Sequence, residues 1–277
     1  MKKVINNISC DTVKLLFDYL YNKNIMSKTK TYDLTVPYSL DGVKLHQYQK
    51  YLKVLNENKD NVDEEFLRLK ILEIFCGLTL KEAYELAAVD IDEILNIIIG
   101  VLNEQSPLQR RFTMTDSKGT TVEFGFITNL ERISLGEFVD AESYLGDWDN
   151  MHKALAVLYR PITGSKGEFY EIEKYKGSDR YSEIMKDAPA SVAVGATLFF
   201  YSLGMTLLNA TMDSLMSQSK VNTEDQQQTQ NPSEKNGDGI NRSMLLLKET
   251  HLKLQGLQKD LYTHAYYGLS SKKTKTN

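Results

Sequence analysis

The chain has few of the residues that announce a chemistry. Two cysteines, Cys10 and Cys76, stand far apart among 277 residues. That excludes a disulfide scaffold and a local cysteine metal motif, and it makes a reducing compartment the simpler reading. The four histidines are His46, His152, His251 and His264. None sits in a His-Glu-x-x-His pattern or beside a cysteine at ligand spacing. A Gly-x-x-x-x-Gly-Lys phosphate loop and a Gly-x-Ser-x-Gly elbow are both missing. No metal, no cofactor and no catalytic residue is therefore expected. Met1-Lys2-Lys3 is basic, but Asn6, Asn7, Ser9 and Asp11 interrupt the apolar run that a signal peptide needs.

What is present is an ordinary soluble composition, 42% hydrophobic and 25% charged, with a formal net charge of -4. That average hides an asymmetry. Positions 218–277 carry nine Lys/Arg against six Asp/Glu, a net +3, while positions 1–217 carry 24 against 31, a net -7. An acidic body bears a basic tail. Nucleic-acid binding needs clustered positive charge, which this body lacks, so no nucleic-acid partner is expected. Sixteen Tyr and ten Phe against a single Trp suit packing surfaces.

Periodicity predicts mostly helices. Helices are expected over Ser9–Tyr21, Leu45–Asn56, Glu64–Phe75, Leu80–Ala88 and Ile91–Asn103. Gly77 reads as a stop, and Thr79 with Glu82 reads as a capping box. Thr31–Val36 alternates and is expected to be a strand. Beyond Pro107, residues 110–114 and 120–127 flank Asp116-Ser117-Lys118-Gly119, a hairpin pattern. Ser134 and Glu137 form a second capping box. Trp148–Tyr159 reads as one amphipathic helix. Ile162–Ile172 reads as a second hairpin, and Asp179–Met185 as a short helix.

From Ala188 to Met212 no charge occurs over 25 residues. A span of that length can cross a bilayer. Pro189, Ser191, Ser202, Thr206, Asn209 and two glycines favour a buried core helix over a membrane span, running to Met216. Residues 217–241 are polar and Gln-rich and read as a linker. Ser243–Tyr267 is helical in pattern, and residues 268–277 form a basic end. The expected fold class is α+β, predominantly helical with small β-hairpins. It divides into a helical region 1–106, an α+β region 107–216, the linker, and a tethered amphipathic helix with its tail over 242–277.

Candidate interaction residues follow from the same patterns. Trp148, Met151, Leu155 and Leu158 form an apolar stripe, with Arg160 at its end. Trp148 is either an interface anchor or core packing against the apolar helix. Met185, Met205, Met212 and Met216 offer either a docking surface or core filling. In the tail, Leu247, Leu254, Leu257 and Leu261 form the second candidate stripe. Glu137, Asp140, Glu142, Asp147 and Asp149 cluster at two helix ends, and a solvated acidic face explains them better than acid–base chemistry. His152 reads as a satisfied, partly buried histidine.

The string Phe126-Ile127-Thr128-Asn129-Leu130-Glu131-Arg132-Ile133-Ser134-Leu135-Gly136-Glu137-Phe138-Val139-Asp140 resembles an opening found in tailed-bacteriophage proteins. So does Trp148-Asp149-Asn150-Met151-His152-Lys153-Ala154-Leu155-Ala156-Val157-Leu158-Tyr159-Arg160-Pro161. The closing helix from Ala188-Pro189 to Leu208 resembles their terminal apolar helix. These are similar to tail assembly chaperones or small virion-associated proteins of crAss-like and other large tailed phages, over residues 31–215. The resemblance implies a non-catalytic role in tail or virion morphogenesis. It implies binding of tail or particle proteins, a tape-measure-like helical partner among them, and self-association. It places the protein in the host cytoplasm during assembly, or in the particle as a structural component. A single-span membrane protein is the remaining alternative. The strings define no catalytic site. The linker and tail helix extend beyond the length usual for such proteins.

Overall fold

The computed structural model describes residues 32–58, 63–115 and 119–225. The expected helix Ser9–Tyr21, the hairpin tip Asp116–Lys118, residues 226–241 and the tail stripe of Leu247, Leu254, Leu257 and Leu261 lie outside the described residues. The fold is α+β, mainly helical, with one small antiparallel sheet.

In chain order the elements are α1 (Leu45–Glu57), α2 (Glu64–Cys76), α3 (Leu80–Glu85), α4 (Ala88–Leu102), β1 (Arg111–Thr115) and β2 (Thr121–Phe126). Then come α5 (Leu135–Tyr144), α6 (Met151–Leu158), β3 (Tyr159–Lys166), β4 (Phe169–Ile172), α7 (Asp179–Met185) and α8 (Ala190–Asp225). Local chemistry sets many of these boundaries. The Asp63 carboxylate accepts from the Phe66 N–H at 3.1 Å to open α2. Gly77 closes it at φ +71°, a conformation that costs glycine nothing. Thr79 and Glu82 make the reciprocal capping box of α3.

Two cores form. The first lies among α1, α2, α3 and α4 and includes Tyr48, Leu52, Leu72, Phe75, Leu95 and Ile98. The second lies between the sheet and helices α6 and α7 and includes Phe124, Phe126, Met151, Leu155, Tyr159 and Met185. Each fully buried large aliphatic or aromatic side chain contributes roughly 1.5–3 kcal/mol. The start of α8 belongs to both cores. Ala190 and Val194 face the first, and Val192, Ala193 and Ala196 face the second. Residues 190–196 are buried on every side. Small side chains make this possible, because two layers must approach one helix closely. A Cβ on Gly195 would overlap the Pro107 carbonyl, with its carbon at 2.9 Å.

The backbone fixes this junction. The Leu45 N–H donates to Ala188 O at 2.8 Å, and the His46 N–H donates to Lys186 O at 2.9 Å. In return the Ala190 N–H donates to Val43 O at 2.8 Å. Two helix N-termini thus satisfy their first donors from each other's approach segment rather than from side-chain caps.

The structure corrects several expectations. The two hairpins are not separate units. They join as one sheet of order β1-β2-β3-β4, every pair antiparallel. Strand β3 starts at Tyr159, so Arg160 and Pro161, expected to end a helix, are strand residues. The residues around Tyr159 pair with β2, with Phe126 opposite Tyr159 and Phe124 opposite Pro161. The expected helix Trp148–Tyr159 is shorter. It is a 3-10 turn over Trp148–Asn150 followed by α6. Residues 32–36 form no strand; Thr35 makes a single bridge and Val36 is buried. Helix α8 runs to Asp225, past the expected end at Met216 and into the stretch read as linker.

The crowding at Gly195 makes a simple prediction. Gly195→Ala is expected to destabilise the protein by about 1–3 kcal/mol, because backbone rather than a side-chain tip must move. Urea unfolding of the variant beside the wild type checks this, and an unchanged midpoint would show that the α8–Pro107 approach is not as described.

Candidate functional site

The stripe chosen from the sequence is in the core. Met151 and Leu155 are 0% exposed and Leu158 is 1% exposed. They cannot form a surface, because α6 packs between α5, α7 and the sheet. Trp148 is half-buried and touches both cores. Its ring lies 5.2 Å from that of Tyr48, and its carbonyl accepts from Gln49 Nε2 at 2.6 Å. It joins the two cores. Among the methionines, Met185 is fully buried, while Met205 and Met212 are half-buried on α8.

Arg160 is buried at 6% exposure. Its Nη1 lies 2.5 Å from Glu137 Oε1, and Glu137 is also buried. The other oxygen of Glu137 accepts from the Ser134 N–H at 2.7 Å and the Ser134 hydroxyl at 2.6 Å. The guanidinium sits 5.5 Å from the centre of the Tyr175 ring, and the Tyr175 hydroxyl donates to Asp140. One carboxylate therefore closes the capping box of α5 and anchors that helix to β3. Segments 126–140 and 148–161 meet at this pair, Glu137 in one and Arg160 in the other. Burial by itself pushes the pKa of Glu137 up, toward the neutral acid. Hydrogen bonds from Ser134 and the Arg160 charge outweigh it and hold the carboxyl below its usual range.

The ion pair has a consequence for α5. Turning Glu137 inward turns the apolar residues outward. Leu135 is 79% exposed, Phe138 52% and Val139 48%. These three lie on one face, at helical spacings of three and four. Glu131, Arg132 and Glu142, nearby in sequence, are exposed as well. A helix that hides a carboxylate and shows leucine, phenylalanine and valine reverses the ordinary soluble arrangement. A second exposed apolar group, Leu80, Tyr84 and Val89, lies on α3 and α4. Sequence reasoning missed both surfaces. The signal available was that Leu135, Phe138 and Val139 follow the capping box directly, but their facing depends on Arg160, on a strand beyond the next helix.

The remaining candidates disperse. Asp147 caps the 3-10 turn, accepting from the Asp149 N–H at 2.9 Å and from Asn150 Nδ2 at 2.6 Å. Asp140 is held by Tyr175. Lys153 lies over the Tyr144 ring at 5.4 Å rather than against Asp149. Among the described residues no group of His, Cys, Asp and Glu is placed to hold a metal ion. His152 is buried, with Nδ1 3.3 Å from Gln49 Nε2. Burial and then Lys186 and Lys153 push its pKa below the ordinary value. An open cleft of about 1170 Å³ follows the β3–β4 hairpin. Arg110, Arg111 and Lys166 face Glu168 and Glu171 there, and Arg111 is already bound to Ser165 Oγ and the Gly167 and Glu168 carbonyls.

No family model, curated protein or solved structure matches the chain.

The buried pair is testable by a double-mutant cycle. Glu137→Gln and Arg160→Met are each expected to cost about 3 kcal/mol, since each strands a buried partner. The double variant is expected to lose clearly less than the sum, and strict additivity in urea unfolding would refute the coupling. Acid stability gives an independent check. An unfolded chain takes up the His152 proton first, so stability falls as pH drops below about 6.5. The Glu137 contribution is fully present above about pH 4.3 and is lost as pH falls through its depressed folded value. Thermal unfolding from pH 8 to 3 is expected to lose its upper step in His152→Gln and to flatten at the acid end in Glu137→Gln.

Proposed function

We propose that the protein is a non-catalytic bacteriophage morphogenesis protein of the tail-assembly-chaperone type. Its task is to bind tail or particle proteins during assembly in the host cytoplasm. The observation that carries this reading is the outward apolar face of α5, Leu135, Phe138 and Val139, held in place by the buried Glu137–Arg160 pair. An assembly partner of this kind presents long apolar helical stripes before it is built into a particle. A helix laid on a groove or face with three or four apolar anchors is a standard mode of recognition. The net negative charge of residues 1–217 favours a partner helix with basic flanks.

The resemblance of residues 126–140 and 148–161 to tailed-phage proteins supports the same role. A structural component that stays in the particle is the second reading, and it uses the same face against a neighbouring subunit. The membrane reading rests on α8. Its residues Ala190–Ser214 are long and apolar enough to cross a bilayer by length and composition. The start of that run, 190–196, is buried between the two cores, which favours a core helix.

Co-expression with the long helical tape-measure protein of the same genome tests the proposal. Wild-type protein is expected to keep that partner soluble and to co-purify with it. Leu135→Asp and Phe138→Asp are expected to lower recovery at least tenfold while unfolding at the wild-type temperature, because both side chains already face water. Unchanged recovery with both variants would sink the proposed face. Stoichiometric amounts in purified particles, measured by mass spectrometry, would replace the chaperone reading with the structural one.

A further inference from the structure

Helix α8 is only partly used by the body. Its start is enclosed by the two cores, and Phe199 and Phe200 still pack on Phe126, with ring centres at 5.8 Å and 6.1 Å. Beyond Phe200 the helix carries a sheltered stripe on the side away from those two rings. Tyr201, Met205 and Met212 are half-buried and Leu208 is 6% exposed. Elsewhere Leu203, one turn past Phe199 and Phe200, is half-buried, while Thr206, Asn209, Ala210 and Thr211 are exposed and Leu207 is 60% exposed. Extended by Leu198 and by the position of Leu215, the stripe reads 198, 201, 205, 208, 212, 215. These steps of three and four are the a and d positions of a coiled coil.

The same steps recur later in the sequence. Leu247, Thr250, Leu254, Leu257, Leu261 and His264 are spaced three, four, three, four, three. The two stripes, 198–215 and 247–264, are equal in length. Laid antiparallel, they register throughout: Leu215 meets Leu247, Met212 meets Thr250, Leu208 meets Leu254, Met205 meets Leu257 and Tyr201 meets Leu261. Leu198, opposite His264, already packs against the first core where α8 enters the body. Positions 226–246, between Asp225 and Leu247, are ample for the return. They must cover the distance from Asp225 back to Leu215, about 15 Å at the helical rise, and a chain of that length reaches several times as far.

We propose that this side of α8 is the seat of the chain's own residues 247–264, returning antiparallel in that register. The choice of occupant rests on length, spacing and tethering. A segment joined by so short a connection competes at an effective concentration in the millimolar range, above any second copy in dilute solution. The inference is independent of the function proposed for α5.

The test uses the full chain with Cys10→Ser and Cys76→Ser as background. Met205→Cys combined with Leu257→Cys is expected to form a disulfide within one chain under mild oxidation. Met205→Cys combined with Leu247→Cys is far out of register and is expected not to. Hydrogen exchange supplies a second readout, with Leu254→Asp as the variant. That variant is expected to raise exchange in residues 201–215 at least tenfold and leave 45–102 unchanged. A covalent dimer from Met205→Cys alone would overturn the proposal in favour of a second copy. Crosslinking of a photoreactive group at position 205 to residues 9–21 would overturn it in favour of the N-terminal segment. Sedimentation of wild-type protein with phosphatidylcholine vesicles, with exchange in 201–215 unaffected by Leu254→Asp, would overturn it in favour of a lipid surface.

Discussion

The fold depends on the enclosure of residues 190–196 between two hydrophobic cores. A helix buried all round must present small or apolar atoms in every direction. Ala190, Ser191, Val192, Ala193, Val194, Gly195 and Ala196 do so. The lone hydroxyl in this run, Ser191, is matched by Asp41 and by Gln109 Nε2 at 3.0 Å, so its burial leaves no polar atom stranded. The helical core and the sheet core are joined further by Trp148, by Leu45 of α1 buried in the second core, by the Lys44–Asp187 pair and by the backbone exchange between residues 43–46 and 186–190. One close-packed helix start thus holds the two halves of the body in one arrangement.

The Glu137–Arg160 pair depends on that arrangement. Arg160 can be buried because β3 runs through the middle of the sheet, and β3 is central because the two hairpins are joined. A buried ion pair is a weak source of net stability when compared with apolar residues in the same space. What it does supply here is direction. It fixes which side of α5 faces inward, and so it exposes three apolar side chains that a simpler core would have taken up. Structure and proposed function meet at this point, since a binding face on a rigid, anchored helix needs no ordering when the partner arrives.

Much of the local structure was legible in the sequence. The capping boxes at Thr79–Glu82 and Ser134–Glu137, the stop at Gly77 and the short helix Asp179–Met185 are all where the pattern placed them. These signals act within a turn or two of helix, and nothing distant competes with them. The joined sheet was not legible, because pairing of Phe126 with Tyr159 bridges two helices and no local pattern encodes it. The stripe Trp148–Leu158 was legible, but its use stayed open between interface and core until the structure buried it. An apolar face has the same spacing whether it meets the protein's own core or a partner.

By itself, the sequence determined the capped starts at Thr79 and Ser134, the stop at Gly77, and that an uncharged apolar run must be enclosed or find an apolar surface. Only the tertiary structure decided which apolar residues are core and which face water. Met151 and Leu155 went in because α6 packs between α5, α7 and the sheet, and Leu135 and Phe138 went out because a single arginine on a distant strand claimed the inward side of α5. Facing is set by the partner across the fold, and a partner on another element leaves no mark on helical spacing.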